Sequence, residues 1–236
     1  MPEPLLERVL AAYGGRARWT AATAVEDTFT LGGLLLRLKG TKGLENVNGS
    51  VVVHEPRVRI TPVDERGSVG VLEGHDVRLE TPEGEVMASR PNARSKFPYG
   101  RRLFRWDLLD LLYFAGYTQW TYMAFPALLL RDDVRWTQIG ETTLEGRFPP
   151  HLPTHCEVQR FHFDPESALL RYYEYTADIF GPWAKGGHVI AAHRTWDGVP
   201  FPSTRRVWSR RRDGTPREGG RYPLMMFLDV HEAHIV

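Results

Sequence analysis

The stretch FHFDPESALLRYYEYTADIFGPWAKGGHVIAAHRTWDGVPFPSTRRVWSRRRDG, residues 161–214, decides the fold class. It reads as strands over 154–163, 168–178, 188–196 and 203–211. Between them lie Asp164-Pro165-Glu166-Ser167, Asp197-Gly198-Val199-Pro200 and Asp213-Gly214, all turn chemistry. Strands that recur about every ten residues with no helix between them pair antiparallel, because a parallel neighbour needs a long crossover.

The same grammar extends outward in both directions. Upstream, strand-like runs fall at 25–31, 34–39, 49–55, 57–63, 68–72, 77–81 and 85–90, and again at 134–141 and 145–148; downstream, one more covers 224–233. Two segments break the pattern. Residues 4–13 carry Leu5, Leu6, Val9, Leu10 and Tyr13 on one helical stripe, with Pro4 suited to the first turn and Gly14 to the stop. The stretch RWDLLDLLYFAGYTQWTYMAFPALLL, residues 105–130, is apolar around most of a helix circumference and predicts a buried helix. Asp107 suits its cap, and Gly116 and Pro126 are expected to divide it. No linker or repeat separates the halves, so residues 1–236 read as a single domain.

Composition narrows the function. The net charge of +1 argues against a nucleic-acid binder built on a basic surface. The basic clusters Arg205-Arg206 and Arg210-Arg211-Arg212 read as a solvated hairpin end. The one cysteine, Cys156, permits no intrachain disulfide and reads as a buried thiol. The first fifteen residues contain no secretory apolar run, and no apolar run spans a bilayer, so the expected location is cytoplasmic with no integral membrane association. Histidine spacings give no metal motif. His151 and His155 stand among prolines, while His188 and His193, five apart on a regular strand, face opposite ways. Neither a Gly-x-Ser-x-Gly elbow nor a phosphate loop is present, and no cofactor is expected. Oligomeric state is left open by the sequence.

Aromatic residues with polar ends stand out. The helix segment holds Trp106, Tyr113, Phe114, Tyr117, Trp120, Tyr122 and Phe125; the strand 168–178 holds Tyr172, Tyr173 and Tyr175; Trp183 follows in a loop. Each buried hydroxyl or indole N–H requires a partner, so a cavity lined by them is an economical solution. Strand parity puts Leu169, Arg171, Tyr173 and Tyr175 on one face, and His188, Ile190, Ala192 and Arg194 on one face of the next strand. The expected ligand-binding set is Trp106, Tyr113, Tyr117, Tyr122, Tyr173, Tyr175, Trp183 and His188. His188, Tyr173 and Tyr175 are the candidates for proton transfer.

The opening AAYGGRARW followed by a long antiparallel run resembles the start of lipoprotein-carrier-like (LolA/LolB-like) domains. The stretch 161–216 is similar to an uncharacterised bacterial cytosolic branch with the pattern FxFD, LLRxxxY, a glycine-rich loop, AxH and a DGxxxPTxRRV-like hairpin. The resemblance implies a mainly antiparallel β protein with a few helices: a curved half-barrel sheet whose concave face holds an apolar ligand under covering helices. The N-terminal helix would plug one end, pinned by Trp19. Three functions are compatible. The leading one is a cytosolic binding protein for a small, largely apolar, possibly ring-containing molecule, held between the concave sheet and the 105–125 helix. The second is a cofactor-independent cyclase, isomerase or dehydratase of secondary metabolism in the same cavity. The third is a structural or partner-binding protein whose aromatics are simply core.

Overall fold

The computed structural model describes residues 4–219 and 221–236. Among them, thirteen strands form one sheet in which every neighbouring pair is antiparallel. One arm is a meander of β1 (Ala24–Gly32), β2 (Leu44–Val52), β3 (Arg57–Thr61), β4 (Val69–Glu73), β5 (Asp76–Glu80) and β6 (Val86–Arg90). The other is a meander of β7 (Arg135–Gln138), β8 (Thr143–Arg147), β9 (Val158–Phe163), β10 (Leu170–Thr176), β11 (Lys185–Trp196), β12 (Val199–Ser209) and β13 (Met226–Ile235). They join where β1 pairs with β13, leaving β6 and β7 as the two unpaired edges. The sheet is therefore a half-barrel that does not close.

This topology dictates where the helices go. The chain must travel from the end of β6 to the start of β7, from one edge of the sheet to the other, and it does so across the concave face. The carrier is α4 (Leu108–Met123), followed by α5 (Phe125–Leu128). Asp107 caps α4 in a reciprocal pair with Asp110, as the sequence predicts. Asp110 is fully buried yet ion-paired to Arg90, Arg101 and Arg102. The break at Pro126 is also where expected. The break at Gly116 is not there: α4 runs through it unbroken. A Cβ at Gly116 would lie 2.8 Å from Leu72 Cβ, and one at Gly70 would lie 2.4 Å from Leu112 Cδ2. These glycines serve the close approach of helix to sheet.

One further expectation is corrected. Residues 34–39 are no strand: Leu34–Leu38 is a helical turn, α3. Three consecutive leucines carry no alternation, leucine favours helix, and Gly33 (φ +138°) turns the chain where a side chain would collide with Met225. At the N-terminus, α1 (Leu5–Ala12) stops at the Gly14-Gly15 pair, and a second short helix, α2 (Arg16–Ala21), follows. Trp19 lies in α2, wholly buried, donating Nε1–H to the Tyr13 carbonyl (2.8 Å) and meeting Phe201 edge-on. The Tyr13 hydroxyl in turn accepts from the Leu170 amide (3.1 Å), which ties the plug to β10.

Candidate ligand site

The helix α4 packs one face on β2–β5 and turns the other toward β10–β13. Across that second interface the inward side chains of three strands converge. Apart from a buried Pro202 beside a register shift, β12 alternates, and Val199, Phe201, Ser203, Arg205 and Val207 are buried. In register beside it, His188 of β11 pairs with Val207, and Tyr173 of β10 pairs with His188. Tyr173 and Tyr175 point inward as expected, but not for the expected reason. A register shift between Leu170 and Tyr172 moves Leu170, not Leu169, onto their side. Likewise, two register shifts between Ile190 and His193 bring His193 round to within 3.4 Å of the Tyr13 hydroxyl. His188 and His193 therefore share the interior face, against the parity reading.

Of the eight sequence-derived residues, the structure gathers four. Tyr122, Tyr173, Tyr175 and His188 form one cluster, with ring centroids of 5.1 Å for Tyr122–His188 and 4.8 Å for Tyr173–Tyr175. Tyr175 hydroxyl and His188 Nδ1 are 3.4 Å apart. Trp183 stands at the rim, 59% exposed. The remaining three are already satisfied within the packed aromatic layer. Trp106 stacks on Phe180 and donates to the Arg102 carbonyl (3.1 Å); Tyr113 reaches His75 Nδ1 (2.8 Å); Tyr117 reaches His155 Nδ1 (3.2 Å).

His155, set aside in the sequence because prolines surround it, is the hub of this cluster. Its Nε2 lies 2.8 Å from the Tyr122 hydroxyl, and its ring stacks on Tyr175 at 3.7 Å and 3°. Arg205 is the larger omission. Instead of sitting at a solvated hairpin end, it is 1% exposed, with its guanidinium 4.3 Å from the Tyr122 ring centre. Arg206, its neighbour, points outward and pairs with Asp229 (2.7 Å). Burial drives every titrating group here toward its neutral form. It pushes Tyr122 up to about 12 and Tyr173 and Tyr175 well above the usual tyrosine range. Burial, with Arg205 adding to it, holds His188 well below the usual imidazole value. His155 is lowered in the same way, with Arg94 as the lesser cause.

The hollow between α4 and the sheet is largely filled by these rings rather than open. What remains is a line of voids. An outer one of about 60 Å³ lies among Leu35, Phe114, Trp183, Trp208, Met225 and Met226. An inner one of about 20 Å³ lies among Thr118, Tyr122, His188, Arg205 and Leu228. Phe114, Tyr175, Val207 and Met226 border both. A larger cleft of about 680 Å³ lies between the β4–β5 turn and the segments around β7 to β10, lined by His75, Arg94, Arg147, Cys156 and Asp178 among others. Its charges are largely paired, Arg94 with Asp178 (3.2 Å) and Arg147 with Glu157 (2.5 Å). Burial pushes the Cys156 thiol up to about 11, which disfavours the thiolate form. Among the described residues no cluster of His, Cys, Asp and Glu could hold a metal ion, and no helix is long and apolar enough to cross a membrane.

No protein-family model matches the chain, and no curated protein matches it in sequence. Solved structures do match in fold. A DUF1329 family protein from Desulfovibrio piger is 12% identical, with 98% of this chain and 91% of that one covered, at a TM-score of 0.53. A LolA superfamily protein from Nitrosomonas europaea is 10% identical, with 99% and 94% covered, at 0.50. The fold is thus the LolA/LolB-like half-barrel that the sequence resemblance implies.

Proposed function

We propose that this chain binds a small, largely apolar molecule between the concave sheet and α4, entering at the rim around Trp183. The observation that carries this reading is the line of voids beneath α4, walled by Leu35, Phe114, Val207, Met225 and Met226 and opening beside an exposed tryptophan. The volume is far below the roughly 300–1,000 Å³ of an ordinary ligand pocket. Uptake therefore requires the rim and the aromatic side chains to move apart, and the bound molecule replaces ring-to-ring contacts with its own. The fold likeness to a LolA superfamily protein accords with this reading.

The alternative, a cofactor-independent enzyme using Tyr173, Tyr175 and His188, is less well supported. General acids and bases work best with pKa values near the operating pH. Here burial moves the tyrosines up and the histidine down, so all three resist ionisation. Such groups hydrogen-bond a ligand well and exchange protons with it poorly.

Native mass spectrometry of the purified protein, followed by titration with Nile red, tests the reading. A co-purifying small molecule, or saturable dye uptake, is expected. A protein that carries nothing and takes up no apolar dye would overturn it.

A further inference from the structure

Arg205 is a buried cation with no counter-charge. None of the ion pairs among the described residues includes it. Its Nε and Nη2 are both buried and without a hydrogen-bond partner. Its register neighbours are Ile190 and Leu228, and its guanidinium carbon lies 4.3 Å from the centre of the Tyr122 ring. Burying an unpaired charge is costly, and a fold keeps one only where something compensates.

The geometry of what is missing is specific. Nε and Nη2 lie along one edge of the guanidinium, the edge that meets a carboxylate with two parallel hydrogen bonds. A third orphan borders the same inner void: His188 Nε2 is buried and unpartnered. In the tautomer in which the Tyr175 hydroxyl donates to Nδ1 (3.4 Å), the proton of the neutral imidazole resides on Nε2 and this atom is also a donor. Arg205 and His188, the two residues that carry these unpartnered nitrogens, both line the inner void, and Arg205 also borders a closed space beside Thr121, Phe125 and Phe161. The void holds about 20 Å³, the space of a water-sized group, and its other walls include Leu31, Val207, Met226 and Leu228. Phe114, Tyr175, Val207 and Met226 stand between it and the outer apolar void, which reaches Trp183.

We propose that the molecule bound beneath α4 is an amphiphile with a single carboxylate, seated head-first against Arg205 and His188 with its apolar part running out toward Trp183. The inference rests on the apolar-ligand reading above and names the chemistry of that ligand. One guanidinium balances one negative charge. A phosphate dianion would leave a net charge in a dry interior and needs more room than the inner void offers.

The test separates the two levels. Nile red reports whether the hollow admits an apolar molecule at all. Laurate and methyl laurate then compete for it; they share a tail and differ in charge. We expect laurate to displace the dye about 10-fold to 100-fold better than its ester, the range that charge-assisted hydrogen bonds supply. Arg205→Met is expected to abolish that preference, so that laurate and its ester displace the dye equally, and Arg205→Lys, which keeps the charge but not the fork, to restore part of it. Equal displacement by acid and ester on the wild-type chain overturns the carboxylate inference and leaves apolar binding standing; that comparison needs no variant. A preference that survives in folded Arg205→Met moves the head group elsewhere and overturns the assignment. Failure of Nile red to bind overturns the apolar-ligand reading and this inference with it.

Discussion

Asp27 offers a prediction in which one proton sets the stability of the fold. It lies on the inward side of β1, buried, in the space that a side chain at Gly49 would need. Gln119 of α4 donates Nε2–H to its Oδ2, but Asp27 Oδ1 and Gln119 Oε1 are both buried acceptors without a partner. Desolvation, only partly countered by the Gln119 hydrogen bond, raises the carboxyl from 3.8 to about 8. The protonated acid supplies a donor where two orphan acceptors otherwise face a dry interior. The folded state therefore holds a proton that the unfolded chain releases near pH 4, and stability falls as pH rises through that window. Each pH unit between the two pKa values is worth about 1.4 kcal/mol, so about 2–3 kcal/mol is lost between pH 5 and pH 7 through this group. Asp27→Asn removes the titration while keeping a hydrogen-bonding amide of the same shape. Urea unfolding, followed by tryptophan fluorescence from about pH 5 to about pH 8, gives both profiles. The histidines buried in neutral form, His155, His188 and His193, impose the opposite slope toward acid, but they are common to both proteins and cancel in the difference. The stability of Asp27→Asn minus that of the wild type is expected to climb steadily over this range and level off above pH 8. Parallel profiles would refute a protonated Asp27.

Other substitutions separate scaffold from site. Tyr173→Phe leaves Gln159 Oε1, its buried partner, without a donor; it should cost about 1–3 kcal/mol in urea unfolding while Nile red affinity per folded molecule stays unchanged. Gly116→Ala forces a methyl against Leu72 and should destabilise by about 1–3 kcal/mol although alanine is the better helix former; a gain in Tm would show that α4 is free to shift. Trp19→Ala removes the pin of the N-terminal plug, with an expected loss of about 3–5 kcal/mol by the same unfolding assay.

How far the sequence could be read depended on which physical rule governed each segment. Turn residues and strand spacing decide antiparallel pairing locally, so the meander, the capped helix after Asp107 and the stop at Pro126 were legible. Where regular periodicity failed, reading failed with it. The register shifts in β10 and β11 each alter parity by one residue, and no residue type announces them; hence Leu169 was placed inside and His193 outside. Gly116 reads as a helix breaker until its neighbour across the interface is known, because the contact with Leu72 is forty-four positions away in the chain. His155 belongs to no regular element, so periodicity could not place it.

Arg205 is the instructive case, because its position was legible and its charge concealed it. Counting by twos from Phe201 to Val207 passes through Ser203 and Arg205, so the alternation of β12 places this arginine on the concave face without any structure. The adjacent Arg206 and the run at 210–212 made the pair look like a solvated cluster. Burial rules say that such a residue is paired, and within the described residues it is not. A charge that obeys the pattern of its strand and breaks the rule for its burial is what the carboxylate proposal accounts for, since a bound acid group would supply the missing acceptor. The comparison of an acid with its ester on the wild-type protein measures directly whether that acceptor comes from a ligand.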